Sequence, residues 1–149
     1  MELSASVEIG KPLKEVWKVI TDFKNCPTYI KSIVNLEIID QPKDTLVGFK
    51  WRETRVMFGK EATETMWITD SVENEYYQTR AESHGSIYIS RLSIERIGHI
   101  TKLTMSFSSE ATTFLVKLVS LLMGFMIKGS MRKAINKDLT DIRTYLESN

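Results

Sequence analysis

The chain has 149 residues, 42% of them hydrophobic and 26% charged, with a formal net charge of +1. That is one domain's length, enough to bury roughly 70% of the unfolded surface without staples. The near-neutral balance excludes the strongly basic face of a nucleic-acid binder, and the single Cys26 excludes both an internal disulfide and a thiolate-rich metal site.

The opening alternates Leu3, Ala5, Val7 and Ile9 with Ser4, Ser6 and Glu8, the period of a half-buried strand. It lacks the basic start and apolar run of a signal peptide, so a reducing cytoplasm is the expected compartment. Gly10 closes the strand, and Pro12 suits the first position of a helix. Leu13, Val16, Trp17 and Ile20 then fall at helical spacing, which predicts a helix from Pro12 to about Phe23. Asn25-Cys26-Pro27 reads as its break, and Thr28 to Ser32 as a second short helix. A strand follows with Val34, Leu36 and Ile38 on one face, and Gln41-Pro42-Lys43-Asp44 reads as a loop.

From Val47 to Ser109 the pattern is strands joined by tight turns. Three two-residue hairpin loops are assigned, at Gly59-Lys60, His84-Gly85 and Gly98-His99. The first sets Arg55 opposite Glu64, Glu53 opposite Met66 and Trp51 opposite Ile68. The second sets Tyr88 opposite Ala81 and Leu92 opposite Tyr77. The third sets Ile94 opposite Leu103, Leu92 opposite Met105 and Ser90 opposite Phe107, with Glu95 and Lys102 paired on the other face. A slip of one residue would turn every one of these side chains over, and the mutual agreement of the registers argues for a long antiparallel meander.

No proline interrupts the chain from Thr112 to about Leu146. Met131, Ile135, Leu139, Ile142 and Leu146 step by three or four, one face of a helix. Asp138, Asp141 and Arg143 are assigned to its solvent side. Phe114 to Ile127 is apolar nearly all round, but with Lys117 inside it, it falls short of the about 20 apolar residues that cross a bilayer. Gly124 and Gly129 mark a bend, or a break between a lid segment and the main helix.

The fold class that follows is α+β. A curved antiparallel sheet of six or seven strands wraps a long C-terminal helix, with two short helices between the first two strands and one domain over 1–149. A long antiparallel sheet needs an apolar cover on one face. The C-terminal helix is the element long enough to supply it, and the space between them forms a cavity. Met57, Met66 and Met105 on the sheet, and Met123, Met126 and Met131 on the helix, suit either an irregular core or an adaptable pocket.

These residues resemble a known superfamily. Pro12-x-x-x-Val16-Trp17, Asp22-Phe23 and Tyr29 are similar to its opening. Gly48-x-x-Trp51-Arg52, the turn at Gly59 and Gly98-x-x-Thr101-x-Leu103-Thr104 are similar to its later strands, and Asp138-Leu139 through Leu146 to the end of its helix. The superfamily includes lipid-transfer START domains, birch-pollen-allergen-like proteins and polyketide cyclase or dehydrase proteins. The resemblance implies a helix-grip fold with a cavity for lipids, sterols, polyketides or quinones. Some members are cyclases or dehydratases and others only bind, and fold alone does not choose between them.

The candidate ligand-binding residues are Trp51, Glu53, Arg55, Glu64, Met66, Tyr77, Tyr88, Met105, Phe107, Leu122 and Met126. Glu53, Arg55 and Glu64 share a face with Trp51 and Met66. Within a cavity they would orient a ligand's polar end, and a desolvated carboxylate would serve as acid or base. At the cavity mouth they would be an ordinary solvated pair. Tyr77 and Tyr88 fit either a ligand carbonyl or a protein partner. Trp17 is expected to pack the first helix onto the sheet edge. His84 and His99 fall in separate turns, so no metal site, cofactor or catalytic triad is expected, and Cys26 has no histidine to activate it.

Three functions follow: a carrier or binder of an apolar small molecule; a cyclase- or dehydratase-like enzyme using Glu53 or Glu64 with Arg55 and a tyrosine; and an interaction module whose cavity is filled. Expected partners are the apolar ligand alone, no nucleic acid, and either a monomer or a homodimer. Lys128, Arg132, Lys133 and Lys137 fit a transient anionic membrane contact or a solvated helix face.

Overall fold

Alternating apolar residues need a covered face, and the strands find it by pairing into one sheet. The computed structural model describes the backbone of residues 2–57, 59–83 and 85–148, and their side chains apart from 57, 114–116 and 118–127. In chain order the elements are β1 (Glu2–Ile9), α1 (Leu13–Ile20), a 3-10 turn (Phe23–Asn25), α2 (Cys26–Tyr29), β2 (Ile33–Asp40), β3 (Lys50–Met57), β4 (Lys60–Val72), β5 (Tyr76–Ser83), β6 (Ser86–Ile97), β7 (Ile100–Ala111) and α3 (Phe114–Glu147). The described strands form one curved antiparallel sheet in the order β1-β7-β6-β5-β4-β3-β2. Leu3, Ala5 and Val7 pair with Phe107, Met105 and Leu103, so β1 and β7 share an inner face.

Two of the three hairpin registers stand as expected. Ala81 faces Tyr88 and Tyr77 faces Leu92; Leu92 faces Met105, Ile94 faces Leu103, and Glu95 faces Lys102. The β3–β4 hairpin is displaced by two residues. Met57 pairs with Lys60, so Glu53 faces Glu64, Arg55 faces Ala62 and Trp51 faces Met66. The turn therefore lies between Met57 and Lys60, with Gly59 at φ 76° supplying the left-handed residue. A displacement of two preserves every side chain's face, and the inward set survives the error.

The short helices differ more. Pro12 is the N-cap, with an extended ψ of 152°, and the helix begins at Leu13. It ends at Ile20, where the Thr21 hydroxyl donates to the Trp17 carbonyl at 2.7 Å. Pro27 lies in the first turn of α2 and starts that helix instead of breaking one, since a first-turn residue needs no intrahelical N–H bond. Thr28–Ser32 accordingly contributes only its first two residues to it. Val34 is 50% exposed. The ladder slips between Ile33 and Asn35, and this irregularity takes Val34 off the face that Leu36 and Ile38 share.

Val16, Trp17 and Ile20 are buried, and the Trp17 ring meets Tyr77 edge-on at 6.4 Å. Because β5 is the central strand, Trp17 packs over the middle of the sheet and not its edge. The chain runs as one helix through Gly124 and Gly129. It lies against β1 and β7, burying Ile135, Leu139, Ile142 and Leu146. Its C-terminal end is tied down: Gly10 N–H donates to Glu147 Oε2 at 2.8 Å, Lys31 N–H to Asp141 Oδ2 at 3.0 Å, and the Tyr145 and Tyr29 rings sit 5.1 Å apart.

Candidate ligand-binding site

Between the sheet and α3 lies a cavity of about 930 Å³. The period of β3 turns Trp51, Glu53 and Arg55 toward it, and β4 adds Glu64 and Met66. The middle strand contributes Tyr77, β6 Tyr88, and β7 Met105 and Phe107. These nine are the sheet residues singled out from the sequence, and they share one wall. Leu122 and Met126, with Met123 and the rest of residues 114–127 apart from Lys117, lie outside the described side chains, as does Met57. Met131 lines the helix side.

One end of the wall is aromatic. Phe23 stacks on Trp51 at 4.9 Å and 23°, lies 4.9 Å from Phe49, and meets the Tyr77 edge at 5.2 Å. Tyr88 stacks on Phe107 at 5.9 Å.

Beside this aromatic group sits an ionic cluster. Trp51 Nε1–H donates to Glu53 Oε1 at 2.9 Å, and Arg55 Nε–H donates to Glu53 Oε2 at 3.0 Å. A second guanidinium nitrogen, Nη1, donates to Asp138 Oδ2 at 2.8 Å. Glu53 and Asp138 are only 6% and 4% exposed, so the reading of a solvated pair at the mouth does not describe them. Burial works against the Arg55 charge, but Asp138 and Glu53 outweigh it and raise its pKa above the ordinary guanidinium value. Burial also pushes the Asp138 carboxyl up, and Arg55 pulls it back only in part. One reason is visible: no donor among the described residues reaches Asp138 Oδ1.

Asp138 is the residue that sequence reasoning misplaces. The pattern puts it in solvent with Asp141 and Arg143. It is buried, while those two are half-buried and Asp141 is engaged by Lys31 and Lys137. A signal for this exists in the sequence. Position 138 lies three after Ile135 and four before Ile142, on the apolar stripe itself.

Cys26 and Tyr29 also line the cavity. Burial raises the Cys26 thiol to about 12, and its Sγ lies 3.2 Å from the Tyr29 hydroxyl. A thiol so protonated is not a nucleophile at neutral pH. Tyr29 donates to the Val19 carbonyl at 2.7 Å, and burial holds its phenol and that of Tyr77 well above the ordinary value. His99 sits in the β6–β7 turn, and His84 lies outside the described residues. Among the described residues no three His, Cys, Asp or Glu side chains are grouped to hold a metal ion. No described helix is long and apolar enough to cross a membrane. Of the four basic residues that follow residue 127, Arg132 donates to the Ser4 carbonyl at 3.4 Å and Lys137 pairs with Asp141.

The sequence profile described as polyketide cyclase / dehydrase and lipid transport matches residues 1–147. The chain belongs to the polyketide cyclase / dehydrase and lipid transport family. No curated protein matches the sequence. Solved structures do match this family member. A START superfamily protein from Mycobacterium smegmatis superposes with a TM-score of 0.83 at 17% identity, covering 99% of this chain and 97% of that one. A Thermus thermophilus protein gives 0.82 at 15%, covering 99% and 98%. The ZhuI aromatase/cyclase of Streptomyces sp. R1128 gives 0.76 at 15%, covering 99% and 93%. At such identities the likeness is one of fold, and it carries neither substrate nor reaction to this member.

Proposed function

We propose that residues 1–149 form one binding domain for a hydrophobic small molecule, lipid-, polyketide- or quinone-like, held between the sheet and α3. The observation that carries this reading is the cavity of about 930 Å³, walled by apolar and aromatic side chains around one hydrogen-bonded ionic cluster. Small-molecule sites have this composition, with few polar groups fixing orientation inside an apolar wall. Trp51, Met66, Tyr77, Tyr88, Met105 and Phe107 form the apolar contact in this reading; Glu53, Arg55 and Glu64 orient the polar part. Mass spectrometry of small molecules extracted from freshly purified protein tests it. A stoichiometric apolar compound is expected, and a Trp51→Ala variant that still folds should hold less of it. Unchanged occupancy in that variant would remove Trp51 from the site.

One observation favours a second reading, a cyclase- or dehydratase-like enzyme. A carboxylate at a buried, apolar site is suited to act as acid or base; Glu53 is buried, and Glu64 faces it across the ladder. A screen of polyketide-like substrates with Glu64→Gln as control decides it. Turnover lost in the variant supports the enzyme; full turnover dismisses Glu64. The third reading, an interaction module with a filled interior, is disfavoured by the cavity itself.

A further inference from the structure

Two sets of charged side chains in the cavity lining differ in both exposure and sign. Asp138 is buried, and its Oδ1 has no protein donor among the described residues, while Oδ2 is taken by Arg55. Glu53, Arg55 and Asp138 together carry one surplus negative charge. Lys117 and Lys128 also line the cavity, and both are exposed to solvent. They are eleven residues apart, about 16 Å along the helix, and Lys128 is the nearer of the two to Asp138. Neither has an acidic partner among the described residues, whereas Lys137 further along does.

Resting on the proposed binding function, we propose that the occupant is an amphiphile held in one orientation, with an anionic group at Lys128 and a hydroxyl at its buried end donating to Asp138 Oδ1. An anion beside Asp138 would meet the surplus negative charge, which fixes the direction. A hydroxyl suits Asp138 better than an ammonium, because a neutral donor loses far less hydration on entering an apolar cavity. Lys128 and Asp138 are ten residues apart, about 15 Å along the helix axis, and a dodecanoate chain matches that span.

The test titrates the full chain with ω-hydroxydodecanoate, ω-methoxydodecanoate and dodecanoate by calorimetry. The three differ only at the buried end, and only the first can donate a hydrogen bond there. Wild-type protein should bind the hydroxy acid about tenfold or more tightly than the methyl ether, the range for a hydrogen bond to a charged group. Asp138→Asn can turn its amide N–H toward the ligand, and that preference should shrink to near parity. Lys128→Glu should weaken the hydroxy acid severalfold at low salt while leaving its neutral amide unaffected. Equal binding of hydroxy acid and ether to wild type overturns the inference without any variant, even if Asp138→Asn fails to fold. Equal loss of acid and amide in the lysine variant overturns the orientation. Indiscriminate binding of all three probes leaves the apolar binder standing and removes only this inference; binding of none removes both.

Discussion

Arg55 holds two buried carboxylates at once, and Glu53 in turn holds Trp51. Removing the cation leaves both acids desolvated with no counter-charge. Breaking a buried ion pair from one side costs about 3–5 kcal/mol. Arg55→Leu is therefore expected to lose that much in urea denaturation at neutral pH, and less in acid, where protonated carboxyls need no cation. Asp138 carries the complementary prediction. Its folded-state pKa lies above its ordinary 3.8 because of burial, so the folded protein binds this proton more tightly than the unfolded chain. The contribution is most favourable below the ordinary value and is lost as pH rises through the raised one. Asp138→Asn has no such proton. The stability of wild type relative to this variant should fall from acid to neutral pH; a flat difference would show that Asp138 does not titrate abnormally. This residue also shows where reading the sequence stops. A lone aspartate on a helix is assigned outward on the rule that charges are solvated. Only its partner, 83 positions earlier, makes burial tolerable, and no local pattern reports a partner at that distance.

The sheet is legible because each hairpin carries its own check. Gly85 and Gly98 take φ of 77° and 61° at the turns where the pattern expects them. Gly59 marks the right turn but the wrong loop position, because two registers displaced by two residues satisfy the same alternation. Less legible are the short helices, where Pro12 and Pro27 fit several helix-terminal positions and only the backbone angles choose. Two glycines allow a paired test of this logic. A Cβ added at Gly98 or Gly129 would meet nothing within 4 Å, so backbone conformation alone decides the outcome. Gly98→Ala should destabilise by about 1–2 kcal/mol, since its left-handed φ penalises any Cβ, and Gly98→Asn by less. Gly129→Ala, in a helical conformation, should stabilise by up to about 1 kcal/mol. Equilibrium denaturation of the three variants compares them directly, and the same sign at both alanines would contradict the assigned turn.

At the scale of the molecule the question is whether the interior is a hollow or a core. Fold and register place side chains on faces, but whether opposing faces meet depends on how far the sheet curves from the helix, which no periodicity encodes. Ala81 separates the two cases. It is buried on β5, lines the cavity, and pairs with Met66 and Tyr88, both on the same wall. In a close-packed interior, added methylenes at such a site force neighbours off their rotamers and cost about 1–3 kcal/mol. In a hollow they enter free space and gain contacts. Ala81→Leu should therefore keep or raise the unfolding free energy of the ligand-free protein while weakening an apolar ligand, because the new side chain occupies volume the ligand needs. Ligand binding stabilises in proportion to the logarithm of free ligand over Kd. The variant should accordingly show a smaller rise in Tm at saturating dodecanoate than wild type, from an equal or higher starting point. A lower starting Tm with an undiminished rise would mean that Ala81 is packed against protein and that the ligand sits elsewhere.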